Sequence, residues 1–222
     1  MRYLLITSIL LALTLNARAQ TISVSIEGGK SLVSSTHCEN GYEATLYLEN
    51  SFNKHISIGL AGNFGAVDYL EEESFFQNST FTHTEKLEVV NYIYAMQVVP
   101  KYTFVNTDYL KLAIAPRIGL YWSESRPTYW ETDHTSATVS YETLDTKHSG
   151  AHFSFGVALQ GRYFITEKLD LQASVGWQNH DISTSVNSVD TENDNFQPNM
   201  NKVSFLNARI GISYRLFGKS LW

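Results

Sequence analysis

The strongest constraint on this chain is the alternation in its last long segment, Val203 to Phe217. Leu206, Ala208, Ile210, Ile212, Tyr214 and Leu216 fill every second position, with Asn207, Arg209, Gly211, Ser213 and Arg215 between them. A two-residue period puts the first set on one face of a strand and the second set on the other. Strands of soluble proteins are usually shorter, about five or six residues. A longer strand, apolar on one face and charged on the other, suits a barrel wall that crosses a bilayer.

The period recurs along the chain. A first segment carries Ile22, Val24 and Ile26 and continues to Leu32; a second carries Ala44, Leu46, Leu48 and Phe52. A third runs Ile56, Ile58, Leu60, Gly62, Phe64, and a fourth runs from Tyr92 through Met96 and Pro100 to Phe104. The fifth is Leu110 to Trp122, the sixth Phe153 to Ile165, the seventh Leu169 to Trp177. With the last segment these make eight, and bacterial single-chain outer-membrane barrels have an even strand number. The expected fold is all-β, an eight-stranded antiparallel up-and-down transmembrane β-barrel. Pro100 and Pro116 fall inside strands, where each removes a ladder donor, so they are expected at bulges or strand ends.

The connections sort by length. Asn53-Lys54, Asn106-Thr107 and Glu167-Lys168 read as tight hairpins. Thr36–Tyr42, Tyr69–Leu87, Ser123–Gly150 and Asn179–Lys202 read as long polar loops. Short periplasmic turns and longer external loops are the asymmetry of outer-membrane barrels. Aromatic residues sort as well. Phe52, Tyr102, Phe104, Tyr109, Tyr163 and Tyr214 lie near the short turns; Phe64, Tyr92, Trp122, Phe153 and Trp177 lie near the long loops. Two such belts are expected at the two lipid–water boundaries.

Residues 1–19 read as a secretory signal: Arg2, the apolar run Leu4 to Leu15, then Ala17-Arg18-Ala19. Cleavage near Ala19 would leave residues 20–222 as one barrel domain. No later stretch holds the roughly 18 apolar residues of a helical span. The net charge of −6 argues against nucleic acid as a partner, because binding it needs a basic face. Cys38 is alone and reads as a plain loop thiol. Nothing in the sequence calls for a cofactor.

On these strands the chain resembles the small eight-stranded outer-membrane barrels of the OmpA/OmpX type, a porin-family β-barrel domain. The resemblance covers about Gln20 to Phe217 and includes Ile56-Ser-Ile-Gly-Leu60 after a tight turn and the ending Gly211-Ile-Ser-Tyr-Arg215. It implies a Gram-negative outer-membrane location, with membrane lipid and lipopolysaccharide as surroundings. Members end on an aromatic residue; here either Phe217 or Trp222 fills that role.

If the apolar face meets lipid, the other face lines the lumen. Its charged cluster would be Glu27, Glu49, Lys101, Lys111, Arg117, Arg162, Asp170, Arg209 and Arg215, with Gln160, Gln172 and Asn207 beside them. An eight-stranded barrel is only wide enough for side chains, so opposite charges should pair and plug it. Arg209 and Arg215 then need acidic partners, with Glu27, Glu49 and Asp170 the candidates.

Other features weigh less. His152-Phe-Ser154 has the spacing used by barrel-shaped lipid A deacylases, but their following Asn is Phe155 here, and two polar lumen residues is the preferred reading. His37, His83, His134, His148 and His180 fall in the long segments without a metal-ligand spacing and read as solvated. Glu71-Glu72-Glu73 reads as a solvated acidic loop, and Asn78-Ser-Thr80 matches a glycosylation sequon. The expected function is envelope structure or contacts with an extracellular ligand or surface partner through the long loops, with no catalytic residues. The alternatives are a narrow small-solute channel, a lipid A-modifying enzyme, and a secreted lipocalin-like binder with its faces reversed.

Overall fold

The computed structural model describes residues 21–77, 80–191 and 198–218. The signal segment, residues 78–79 of the sequon and Trp222 lie outside them.

The chain folds as β1 (Thr21–Val33), β2 (Gly41–Ser51), β3 (Ile56–Gln77), β4 (Thr80–Asn106), β5 (Leu110–Asp133), β6 (Thr138–Thr143), β7 (Lys147–His148), β8 (His152–Phe164), β9 (Leu169–Gln178), the single helical turn α1 (Ser183–Val186) and β10 (Phe205–Phe217). The pairings run β1–β2–β3–β4–β5–β8–β9–β10 and return from β10 to β1, all antiparallel. That is a closed ring of eight, with β6 and β7 attached outside it along β5. The seam between β1 and β10 runs from Val24↔Tyr214 to Val33↔Phe205.

Each short turn at one end of the barrel is held by a side chain. Asn53 Oδ1 accepts from the amides of His55 (2.8 Å) and Ile56 (2.9 Å). Thr107 Oγ1 accepts from Leu110 N at 3.0 Å, and Thr166 Oγ1 from Leu169 N at 3.0 Å. Asn and Thr suit these places because their oxygens reach a backbone amide two or three residues on.

The two prolines are neither strand ends nor bulges. β4 and β5 pair down to Val98↔Ile118 and again from Tyr102↔Ile114, a register that sets Pro100 opposite Pro116. The missing donors coincide, so one break in the ladder accommodates both residues. The bulge in this pair falls lower, between Thr103 and Val105.

The faces divide as the period requires. Ile26, Leu46, Ile58, Met96, Ile114, Val157, Val175, Ile210 and Ile212 are exposed on the outside, while Glu27, Glu49, Arg117, Gln172 and Arg209 are buried inside. The reversed, lipocalin-like arrangement is therefore not the one adopted. Aromatic rings flank the apolar band. Phe64 stands 5.4 Å from Tyr94, and Tyr94 stands 6.0 Å from Trp122. Phe155 meets Trp177 edge-on at 5.3 Å. Tyr102, Tyr109 and Tyr163 rim the opposite end, and all are exposed. From Tyr92 to Tyr102 along a tilted strand is about 25 Å, the height of an outer-membrane apolar band.

Two of the expected long loops are largely strand. β3 and β4 continue as a hairpin to Gln77↔Thr80, and β5 follows β4 up to His83↔Asp133. The return from β5 is also strand, broken into β6 and β7. Together β3, β4, β5 and β6 make a sheet that overhangs the barrel. Its strands persist because one face is apolar: Val67, Tyr69, Leu87, Val89 and Ile93 are buried there. They pack against Ile182, Val186, Val189, Met200 and Val203 from the segment between β9 and β10, and against Phe205 at the start of β10. Each such side chain removed from water contributes about 1.5–3 kcal/mol. The described parts of the last expected loop, residues 179–191 and 198–202, thus form a folded cap, with α1 near its start, over this end of the barrel.

Candidate functional site

The lumen is filled in layers. Nearest the short turns, Glu49 binds Lys101 at 2.6 Å and also pairs with Arg162. Arg162 Nε donates to Gln172 Oε1 at 2.9 Å. Glu27 holds no cation directly; it accepts from Gln160 (3.0 Å), Ser174 (3.2 Å) and Gln172. Lys111 and Arg215 flank Asp170, and the Lys111 ammonium stands 5.1 Å from the Phe164 ring.

Above this lies Tyr47, fully buried between two cations. Lys101 Nζ is 4.7 Å and the Arg117 guanidinium 5.5 Å from its ring centroid. Desolvated contacts of this kind reach about 2 kcal/mol. Ala61, Val99, Ala115 and Ala158 complete this level, small residues that leave room for the ring and the guanidinium.

A chain of amides crosses the next level. Thr45 donates to Asn63 (2.6 Å), Asn63 to Gln97 (2.8 Å), and Gln97 to Ser154 (2.6 Å). Gln178 donates to Gln97 at 3.2 Å and accepts from Asn207 at 2.8 Å. Arg209 is paired with Glu43, not with Glu27, Glu49 or Asp170. Glu43 was legible: it shares its parity with Thr45, Tyr47 and Glu49 on β2. Of the expected charged cluster, Glu27, Glu49, Lys101, Arg117, Asp170 and Arg209 are buried and Lys111, Arg162 and Arg215 half-buried, but they do not join into one paired cluster: the Arg117 guanidinium has no hydrogen-bond partner among the described residues. Glu49, Lys101 and Arg162 join directly, and Arg209 joins a carboxylate outside the set.

Ser154 does not meet His152. Its hydroxyl lies 2.9 Å from His180 Nε2, while the His152 ring packs on Tyr121 at 5.4 Å. His180 is not solvated either; it is 4% exposed, with its ring 5.0 Å from that of Tyr121. Burial, with Arg209 and Arg117 nearby, pushes its pKa down to about 3, so it is neutral at ordinary pH. The parity that puts Asp170, Gln172, Ser174 and Gln178 inside continues to His180, and that signal could have placed it. A hydroxyl and a neutral imidazole in contact are the parts of a nucleophile–base pair. Here the cavity beside His180 is about 10 Å³, too small to admit a substrate.

The other singled-out residues lie outside the lumen. Cys38 bridges to Tyr69, and partial burial raises its thiol to about 11, so it is a poor nucleophile. Glu71-Glu72-Glu73 is strand, not loop, and Glu71 accepts from Tyr69 Oη. His83 stands 3.4 Å from Glu85, and His134 Nε2 lies 3.1 Å from Thr84 Oγ1. Among the described residues no three His, Cys, Asp or Glu side chains converge on a metal position.

No family model matches the chain, and no curated protein matches it. Solved structures do. A major outer membrane protein from Thermus thermophilus superposes with a TM-score of 0.51 at 15% identity, covering 90% of this chain and 100% of that one. Ail, the attachment invasion locus protein of Yersinia pestis, gives 0.45 at 13% identity over 89% and 99% of the two chains. Neisserial surface protein A gives 0.43 at 14% identity over 88% and 97%. At these identities the likeness is one of fold, and the first superposition sets it: the chain has the architecture of the small outer-membrane β-barrels.

Proposed function

We propose that this chain is an integral barrel of a Gram-negative outer membrane, inserted after its leader is removed near Ala19, that conducts no solute and acts through the sheet overhanging the bilayer. The observation that carries the reading is the contrast between the two ends of the molecule. The lumen is crossed by the Glu49–Lys101–Arg162 layer, and the cavity beside it holds about 30 Å³, room for no more than a few waters. The opposite end extends a four-stranded sheet well beyond the aromatic belt, where it meets the outside. Charged groups in the wall then serve assembly and rigidity, and the exposed sheet serves contact.

Fractionation and gel mobility test the location. The protein is expected with the outer membrane, soluble only in detergent, and shifting in mobility when boiled. Recovery in the aqueous fraction would refute the membrane reading. For the contact role, shortening the β3–β4 hairpin should leave the gel shift intact and abolish binding to cells or surfaces that the full chain binds.

A further inference from the structure

The outer face of the overhanging sheet carries a built groove. Glu72, Lys86, Trp130 and Tyr141 are successive cross-strand partners on β3, β4, β5 and β6, one row across the whole sheet. Thr84 and Thr132 are paired in the next row, and His134 lies just past the end of β5. With Glu88, these residues line an open groove of about 560 Å³, Tyr141 standing at its β6 side. Four strands at about 4.8 Å spacing make a platform about 15 Å wide, the breadth of a short oligosaccharide.

The composition of the groove favours one ligand chemistry. Trp130 and Tyr141 stand 5.2 Å apart at 34°; Tyr141 is 69% exposed and Trp130 half-buried beside it. A pyranose suits this surface: its apolar C–H face lies on the exposed ring, and its hydroxyl edge meets the polar side chains around it. The short polar groups of Thr84, Thr132 and His134 form the complementary rim. Charge narrows the class. Lys86 pairs with Glu88 at 2.5 Å, and the lining carboxylates Glu72 and Glu88 outnumber the single lysine. A sulfated or phosphorylated saccharide, including the phosphorylated saccharide of the outer leaflet, would be repelled.

We propose that this groove binds an uncharged pyranose oligosaccharide presented from outside the cell, with Trp130 and Tyr141 as its stacking platform. The inference rests on the membrane reading, because only an outward-projecting sheet meets such a ligand. The test uses the full mature chain in detergent micelles free of lipopolysaccharide. Maltohexaose, cellohexaose and hexa-N-acetylchitohexaose are titrated by calorimetry and tryptophan fluorescence, beside a chondroitin sulfate hexasaccharide and a phosphorylated lipopolysaccharide core. At least one neutral probe is expected to bind. Trp130→Ala and Tyr141→Ala should each weaken it about tenfold, the loss of roughly 1.4 kcal/mol of stacking. Trp130→Phe, which keeps a ring, should stay within about threefold, the smaller loss expected when one aromatic platform replaces another. The boiling shift reports that each variant still forms the barrel. Binding of no neutral probe, binding only of the charged saccharides, or neutral binding indifferent to Trp130→Ala would each overturn the proposal. A barrel that fractionates with the outer membrane yet binds nothing refutes the groove alone.

Discussion

Glu49 shows how much of the lumen hangs on single side chains. It is buried against Lys101 and Arg162, so removing its charge leaves two cations in a dry interior. Breaking a buried pair in this way costs about 3–5 kcal/mol. Glu49→Gln is therefore expected to lower the free energy of urea unfolding from lipid vesicles by that order, read as a lower midpoint. Adding Lys101→Met should recover part of the loss, because one stranded cation is then gone. Equal midpoints for the single and double variants would show that the pair is not coupled. Gly211 poses a steric problem instead. A Cβ there would lie 2.0 Å from the Ile26 carbonyl oxygen, backbone of the neighbouring strand across the seam. Gly62 has nothing within 4 Å of the same position. Gly211→Ala should destabilise by about 1–3 kcal/mol and lower the temperature of the gel shift, while Gly62→Ala should not. Matched behaviour of the two variants would remove this account of the seam.

At the scale of elements, sequence and structure agree where one period rules both faces. The eight wall segments and three turns were legible because lipid on one side and filled lumen on the other keep alternation strict. The overhang was not. Residues 69–87 carry three consecutive glutamates and a sequon, and polar composition argued for a loop. Yet Tyr69, Leu87 and Val89 keep the inward parity, and they find an apolar partner only because the cap between β9 and β10 folds over them. That partner has no period of its own, so the contact could not be foreseen from either segment alone. His180 was within reach of the β9 parity, but the partners of its ring, Ser154 and Tyr121, are supplied by distant strands. The cap is tied down by Tyr121, whose hydroxyl donates to Asp181 O at 3.1 Å and accepts from Asp181 N at 3.0 Å. His180 adds a pH dependence to this attachment. Its pKa is about 3 in place and near 6.5 when released, so the released cap binds the extra proton between those values. Attachment is complete above about pH 6.5 and weakens as pH falls toward 3, by at most about tenfold per pH unit. Amide exchange in residues 179–191, corrected for its intrinsic pH dependence, should rise over that window. His180→Gln, which cannot titrate, should flatten the rise; an unchanged profile would mean that the carboxylates alone control the cap.

For the whole molecule, closure is redundant. The cap lies over the end opposite the short turns, the amide chain from Thr45 to Ser154 crosses below it, the Tyr47 layer follows, and Glu49 with its two cations crosses near the short turns. The lower layers are built wholly from strand residues whose positions are fixed by the ring, so they do not depend on the cap. Replacing residues 183–200 with a short Gly-Ser link should therefore expose Leu87, Val89 and Tyr69 to water and lower stability without opening a path. Planar bilayers containing either the full chain or this deletion are expected to show no discrete conductance steps. Steps from the deletion alone would make the cap the true seal and the lower layers permeable. Steps from the full chain would overturn the filled-lumen reading, and with it the argument that the charged interior serves the barrel while the overhanging sheet serves the outside.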